Sequence, residues 1–137
     1  MMLGGTFNWP VRVYWEDTDA GGIVYYANYL KFFERSRTEW LRALGIAQQS
    51  LREKTGGMFV VSQAAVKYLK SAHLDDELLV TTSLLEAGRA SMTIRQQALR
   101  KQGEALVLLC EASIRAGWVN ADGKPARIPP EILQTLS

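Results

Sequence analysis

Hydrophobic residues spaced three and four apart indicate one long helix in the first third of the chain. The pattern runs from about Val24 to Leu44, and Gly45 is a natural end for it. Its apolar stripe is predicted at Tyr26, Leu30, Phe33, Arg37, Leu41 and Leu44. Further rings lie beside that stripe and widen the apolar face, so we expect the helix to be buried on more than one side.

Alternation of apolar and polar residues predicts strands before and after this helix. A first strand is expected at 11–15, after Pro10, and a short second helix at 46–54. A short terminal helix is expected from Pro129-Pro130. The second half of the chain is predicted to hold four strands, at about 58–69, 78–86, 90–101 and 104–118.

The last of these strands has the most regular pattern. Apolar residues occupy every second position from Leu106 to Trp118, and polar residues stand between them from Glu111 to Arg115. Short turns join the successive strands, which implies antiparallel neighbours. The predicted fold class is therefore α+β, with an antiparallel sheet wrapped around one long central helix in a single domain of residues 1–137. One helix covers only one face of such a sheet, so a symmetric homo-oligomer is expected.

Composition and charge narrow the class of protein. The 137 residues are 47% hydrophobic and 22% charged, which is typical of a folded domain. A net charge of +2 is too small to indicate a nucleic-acid partner. No apolar run reaches membrane-spanning length, and Met1 to Gly5 lack the features of a secretory signal. The single cysteine, Cys110, cannot form an internal disulfide, so a reduced, cytoplasmic protein is expected.

Three carboxylates crowd into the turn before the long helix. Glu16, Asp17 and Asp19 directly precede the pair Gly21-Gly22. A structural interpretation is that acids near a helix N-terminus cap free N–H groups and favour the positive end of the helix dipole. One acid would be enough for that purpose.

A calcium loop is a second interpretation of the same turn. Acids at its first and third positions and a glycine at its sixth match the EF-hand pattern. However, Gly21 stands where a third ligand is expected, and Asn28 stands where that loop requires a bidentate glutamate. This interpretation is therefore weaker than the other two.

A catalytic site is the third interpretation. The paired glycines let the backbone approach a ligand closely, and the helix that follows presents unpaired N–H groups. Such donors can hold an oxyanion, and the Asp19 carboxylate can attack a carbonyl or activate a water molecule.

The rest of the sequence limits the chemistry of such a site. It has no GxSxG elbow, no phosphate-binding glycine loop and no metal-ligand spacing, and Cys110 lies in an apolar run. An alkoxide or amine leaving group needs a proton donor. A thiol has a pKa of roughly 8.5, so it leaves as a thiolate with little help. Thioester cleavage therefore suits one carboxylate and a set of N–H donors.

Nearly the whole chain resembles a known family. The segment "YWEDTDAGGIVYYANYLKFFERSRTEWLRALG" is similar to the N-terminal signature of the hotdog-fold 4-hydroxybenzoyl-CoA thioesterases. The segments "VKYLKSAHLDDELLV", "GRASMTIRQQALR" and "KPARIPPEI" resemble the same family in order and spacing. The likeness is greatest to the branch of small bacterial acyl-CoA thioesterases associated with the Tol–Pal system. The resemblance implies a hotdog fold paired into dimers, often tetramers.

The resemblance also implies roles for particular residues. Asp19 is the expected catalytic carboxylate, as nucleophile or general base, and the backbone N–H of Tyr26, in the first turn of the helix, is the expected oxyanion donor. Many Tol–Pal-associated members have histidine at the Tyr26 position, so their short-chain preference does not carry over. The site also includes Gly21 and Gly22, which shape the approach, and Arg89 and Arg127, which are expected near the coenzyme A nucleotide.

Two other functions remain open from sequence. One is a non-catalytic module that binds acyl-CoA or acyl carrier protein, although binding alone has no need of a buried acid such as Asp19. The other is a hotdog dehydratase, which requires a histidine beside the substrate, whereas His73 lies outside the central-helix region. For the thioesterase, coenzyme A is part of the substrate, so no separate cofactor or metal is expected. Acyl carrier protein is a possible alternative partner.

Overall fold

The computed structural model describes residues 5–136 as one sheet with three helices. The first four residues, where the sequence predicts no secretory signal, and Ser137 lie outside the described residues. The elements in chain order are β1 (Phe7–Arg12), a 3₁₀ turn (Trp15–Asp17), α1 (Asn28–Ala43), α2 (Gln48–Thr55), β2 (Met58–Tyr68), β3 (Glu77–Ala87), β4 (Ser91–Gln102), β5 (Ala105–Val119) and α3 (Pro130–Leu136).

The five strands form one antiparallel sheet in the order β1-β3-β4-β5-β2. Strands β3, β4 and β5 are joined by short turns, and β1 and β2 are the two edges. The long helix α1 packs mainly against β1, β3 and β4. This arrangement confirms the predicted α+β fold. Within residues 5–136, no helix combines the length and the apolar character that crossing a bilayer requires.

The first strand lies earlier in the chain than predicted. Its pairing with β3 runs from Phe7 opposite Thr82 to Arg12 opposite Glu77, whereas the prediction was 11–15. Pro10 therefore lies inside the strand. A proline is tolerated there because β1 is an edge, where one N–H faces away from the sheet.

The long helix begins four residues later than its pattern predicted. Val24 forms a β-bridge with Thr18, and Ile23 forms one with His73, so both residues are extended. Both are β-branched, which favours that conformation over a helix. The predicted stripe is also displaced, because Leu30 is 42% exposed. The residues that α1 buries are Tyr29, Phe32, Phe33, Ser36, Trp40 and Leu41.

Hydrogen bonds inside the core attach α1 to the sheet. The side chains of Ser36, Thr82 and Gln96 are completely buried. The Gln96 amide donates to the Phe33 carbonyl (2.9 Å) and to the Thr82 hydroxyl (2.8 Å), which is bonded to Ser36 (2.8 Å). The Arg37 guanidinium donates to the Gln96 side-chain oxygen (2.9 Å). These hydrogen bonds fix the position of α1 on the sheet. Apolar packing alone is less directional and would specify that position less well.

A β-bulge interrupts the regular alternation of β5. Cys110 pairs with Ala98, but the next pair along is Leu108 with Leu99, so Leu109 is the additional residue. The face therefore switches before Cys110, and Leu106 is 50% exposed. The predicted alternation is correct from Cys110 to Trp118 and wrong for the part of the strand before the bulge.

Candidate functional site

The acidic turn folds back on itself beside the start of α1. The Asp19 N–H donates to the Ile23 carbonyl (2.8 Å), and the Gly22 N–H donates to the Asp19 carbonyl (3.0 Å). Gly22 has a φ of +79°, which a residue with a side chain rarely adopts. Gly22 is thus required by the turn that places Asp19.

Asp17 is the structural acid of this turn. It is 6% exposed, and its Oδ2 accepts the Tyr14 N–H at 2.8 Å. Its carbonyl accepts the Tyr25 N–H (3.1 Å) and the Asn28 side-chain amide (2.8 Å). The Asp17 carboxylate therefore closes the 3₁₀ turn, and the capping interpretation is wrong for α1, whose N-terminus has no side-chain cap. Asp17 still ties the turn to Asn28, the first residue of α1, through its backbone carbonyl.

Asp19 lies two residues further on, in an open cleft of about 330 Å³. Its Oδ1 accepts the Gly21 N–H (2.8 Å), and a Cβ at Gly21 would lie only 3.2 Å from that oxygen. Gly21 therefore gives the carboxylate room as well as a hydrogen bond. The expectation of a buried Asp19 is wrong for the single chain, because the residue is exposed and Asp17 is the buried acid.

Two backbone donors at the start of α1 are unpaired, and one of them belongs to Tyr26, which lines the same cleft. Tyr26 precedes the N-cap residue Ala27, so it lies just before α1 and not in its first turn, as the sequence analysis expected. Within residues 5–136, the N–H groups of Tyr26 and Ala27 have no backbone or side-chain acceptor. The following N–H groups are satisfied, since Asn28 donates to the Tyr25 carbonyl. The free donors at the helix start are therefore available to a ligand.

Tyrosine rings form the walls of the cleft. Tyr26 lies 4.8 Å from Tyr25 and 5.8 Å from Tyr68, measured between ring centroids. Tyr29 lies 5.8 Å from Tyr68, and its hydroxyl accepts the Ala72 N–H at 3.1 Å. Burial raises the pKa of Tyr29 and of Tyr68, so both hydroxyls stay neutral near pH 7.

The lining residues at the end of β2, Tyr68 to Ser71, were not predicted from the sequence. Tyr68 and Lys70 reach the cleft from the end of β2, about 50 residues after the acidic turn. Only the tertiary fold brings them to Asp19, and nothing in their local sequence indicates it.

The two predicted arginines lie at the other end of the sheet. The Arg89 carbonyl accepts the Ile128 N–H (2.7 Å), so Arg89 and Arg127 are close to each other in the fold. Both segments adjoin Trp118, while the Asp19 cleft lies at the level of Cys110. Eight residues of strand separate those levels, a distance of about 26 Å. One chain alone does not bring these arginines to Asp19.

The remaining reactive side chains have structural surroundings. Burial raises the pKa of the Cys110 thiol to about 12, which keeps the thiol protonated and unreactive. His73 is a turn residue whose N–H donates to Asp76 Oδ2 (2.8 Å), and its side chain is 58% exposed. Among residues 5–136, no three His, Cys, Asp or Glu side chains are grouped so as to hold a metal ion.

Comparison with known proteins places this chain in a family. The model of the thioesterase-like superfamily matches residues 13–136. An acyl-CoA thioesterase, YbgC, of Haemophilus influenzae is 43% identical over 96% of this chain and 94% of its own. The acyl-CoA thioester hydrolase YbgC of Escherichia coli O6:H1 is 40% identical over 93% of this chain and 92% of its own.

Solved structures agree on the fold. A probable thioesterase from Bartonella henselae has a TM-score of 0.83 at 33% identity, covering 91% of this chain and all (100%) of that one. The 4-hydroxybenzoyl CoA thioesterase from Pseudomonas sp. strain CBS-3 has a TM-score of 0.83 at 20% identity, covering 95% and 98%, which supports the fold alone. The sheet and central helix are thus the hotdog fold that the resemblance implied, and the chain belongs to the thioesterase-like superfamily.

Proposed function

We propose that this protein is an acyl-CoA thioesterase, which hydrolyses an acyl-CoA thioester to a free acid and coenzyme A. The observation that carries the proposal is one cleft that holds both the Asp19 carboxylate and the unpaired N–H of Tyr26. The relatives named acyl-CoA thioesterases support it, because this chain covers nearly their whole length.

The cleft supplies the two groups that thioester hydrolysis needs. The carbonyl oxygen of the thioester accepts the Tyr26 N–H, so charge that develops on that oxygen is stabilised. Asp19 either attacks the carbonyl carbon directly or takes a proton from a water molecule that attacks it. The C–S bond then breaks, and the thiolate of coenzyme A takes up a proton. After direct attack, water cleaves the resulting anhydride and regenerates Asp19.

A homodimer is part of the proposal. Edge strand β2 is exposed along most of its length, with Val61 at 43% and Tyr68 at 44%. Pairing β2 with its copy about a two-fold axis satisfies the open edge and sets the Tyr68 end against the partner's Met58 end. The partner's Arg89 and Arg127 adjoin that end, so they approach Asp19 across the interface. Two arginines there suit the phosphates of coenzyme A.

The test is thiol release from a panel of short, long and aromatic acyl-CoAs. Asp19→Asn keeps the shape and the Gly21 hydrogen bond but removes the carboxylate, so we expect turnover to fall by two orders of magnitude or more. Glu16→Gln is the matched control, because it neutralises an exposed acid of the same turn. Wild-type protein that releases no thiol from any substrate, yet binds acyl-CoA, would identify the non-catalytic binding module instead.

Three further expectations remain predictions from the sequence. They are the cytoplasmic location, acyl carrier protein as an alternative thioester carrier and a connection to the Tol–Pal system. Each concerns a partner or a compartment and not the geometry of the cleft.

A further inference from the structure

A second cavity, of about 320 Å³, lies beside the C-terminal half of α1. Its polar lining comes from Glu34, Arg37 and Thr38, and its apolar lining includes Phe59, Val61 and Met92. We refer to it as the Arg37 pocket. It is separate from the Asp19 cleft in the single chain, and the mechanism above does not use it.

Arg37 is the cation of this pocket, and most of its donors are not bonded to the protein. A guanidinium has five N–H donors, and here one of them has a protein acceptor, the Gln96 side-chain oxygen. No carboxylate among residues 5–136 lies within 4 Å of Arg37. Burial lowers its pKa, which reflects the loss of water around the charge. The other four donors of this half-buried cation are open to the pocket, where water or the oxygens of a ligand accept from them.

The other polar groups of the pocket are bonded to one another. The Thr38 hydroxyl donates to Glu34 Oε2, and the Gln48 amide donates to that hydroxyl (3.2 Å). Glu34 opposes an anion in the pocket, but it is exposed, so water screens its charge. The unmet hydrogen-bonding capacity of the pocket is therefore mainly that of Arg37, and it suits an acceptor with two oxygens.

The two-fold pairing proposed above brings this pocket to the active site. Phe59 and Val61 pair with buried residues of β5, as does Tyr68, so all three face the same side of the sheet as α1. Phe59 and Val61 lie at one end of β2 and Tyr68 at the other. Antiparallel self-pairing sets the first end against the second, so each Arg37 pocket adjoins the Asp19 cleft of the partner.

We propose that Arg37 of one protomer binds a carboxylate at the far end of an acyl group whose thioester lies at Asp19 of the other protomer. The substrate class is then the monothioesters of dicarboxylic acids with coenzyme A. This inference rests on the proposed thioesterase function and on its dimer. It adds a residue that selects the acyl group and leaves the chemistry of the thioester unchanged.

The first experiment compares matched substrates that differ in one terminal group. Two pairs are used, pentanoyl- with glutaryl-coenzyme A and octanoyl- with suberoyl-coenzyme A. For at least one pair, we expect kcat/KM of the wild type to favour the dicarboxylic substrate tenfold or more, mainly through KM. Arg37→Gln should reduce the ratio to about one, while the exposed Arg42→Gln on the same helix should preserve it. Arg37→Lys should retain part of the preference, since it keeps the charge and loses the planar fork.

Each other outcome has a definite meaning. Wild-type protein that hydrolyses both members of each pair equally would refute the role of Arg37 and leave the thioesterase intact. No hydrolysis of any thioester would instead refute the proposed function. A third outcome is that the Arg37 variants dissociate to monomers and the wild type shows no preference for dicarboxylic substrates. That outcome would assign Arg37 to the dimer interface and overturn the proposal.

A mixed dimer tests whether Arg37 acts across the interface. Asp19→Asn and Arg37→Gln chains are co-expressed with different tags, and the mixed dimer is isolated by both tags. One of its two sites then combines an intact Asp19 with an intact Arg37 from the other chain. We expect the preference for the dicarboxylic substrate to return in the mixed dimer. A ratio that stays near one would place Arg37 in the same chain as its Asp19 and overturn the cross-interface assignment.

Discussion

At the scale of single residues, two aspartates of one turn have opposite surroundings. Asp17 is buried and receives the Tyr14 N–H, whereas Asp19 faces the cleft and keeps an oxygen free for a substrate. The sequence places both acids in the turn but does not separate their burial, because that depends on the 3₁₀ turn and on the bridge from Thr18 to Val24. The fold of this turn, and not the residue type, therefore decides which aspartate is buried and which one faces the cleft.

Tyr29 gives a test of the cleft wall at the same scale. Its hydroxyl accepts the N–H of the fully buried Ala72, so Tyr29→Phe leaves a buried donor without a partner. We expect the free energy of unfolding to fall by about 1–2 kcal/mol. Urea denaturation measures the change.

The matched control for Tyr29 is Tyr26→Phe. Tyr26 is 60% exposed, so water replaces any bond that its hydroxyl loses, and stability should change by less than about 0.5 kcal/mol. Equal losses in the two variants would contradict the importance of the Ala72 hydrogen bond.

At the scale of elements, regular alternation predicts strands well and their irregularities poorly. The bounds of β2 to β5 agree with their predicted bounds to within one residue at each end. The bulge at Leu109 was not predicted, because one additional apolar residue within an apolar run does not produce a recognisable change in the sequence pattern. The start of α1 was also misplaced, since the bridges of Ile23 and Val24 involve partners remote in sequence or across the turn.

The position of α1 on the sheet depends on Gln96, which is fully buried in the middle of β4. Gln96→Ala removes the hydrogen-bond acceptor of Arg37 and one hydrogen bond of the Thr82 hydroxyl. It also leaves a cavity in the core. We expect a loss of about 2–4 kcal/mol in the free energy of unfolding. Gln97→Ala is the neighbouring control on the opposite, half-exposed face, and it should cost under about 1 kcal/mol. Thermal and urea unfolding of both variants measure the difference.

At the scale of the whole molecule, the active assembly is expected to depend on β2. Val61 is 43% exposed on the edge strand, and a lysine there would introduce a charge at the proposed two-fold interface. We expect Val61→Lys to fold as a monomer and to lose most of its thioesterase activity, because the arginines of the partner no longer reach Asp19. Sedimentation velocity and thiol release measure the two effects.

Leu106→Lys is the control for that interface. Leu106 is 50% exposed at the β4–β5 turn, away from the β2 edge. Its replacement adds the same charge and should leave both mass and activity close to the wild type. A Val61→Lys variant that remains a fully active dimer would contradict the proposed pairing of β2.

The proline in β1 has a consequence for how far such an assembly can grow. A sheet with two open edges can add copies on both sides and extend into a fibre. Pro10 removes one backbone donor from the β1 edge, whereas β2 contains no proline and has only a bulge at Ser62. Growth is then favoured at a single edge, and two copies joined there leave only blocked edges outside. The pyrrolidine ring of Pro10 in β1 thus favours a closed dimer over a longer assembly.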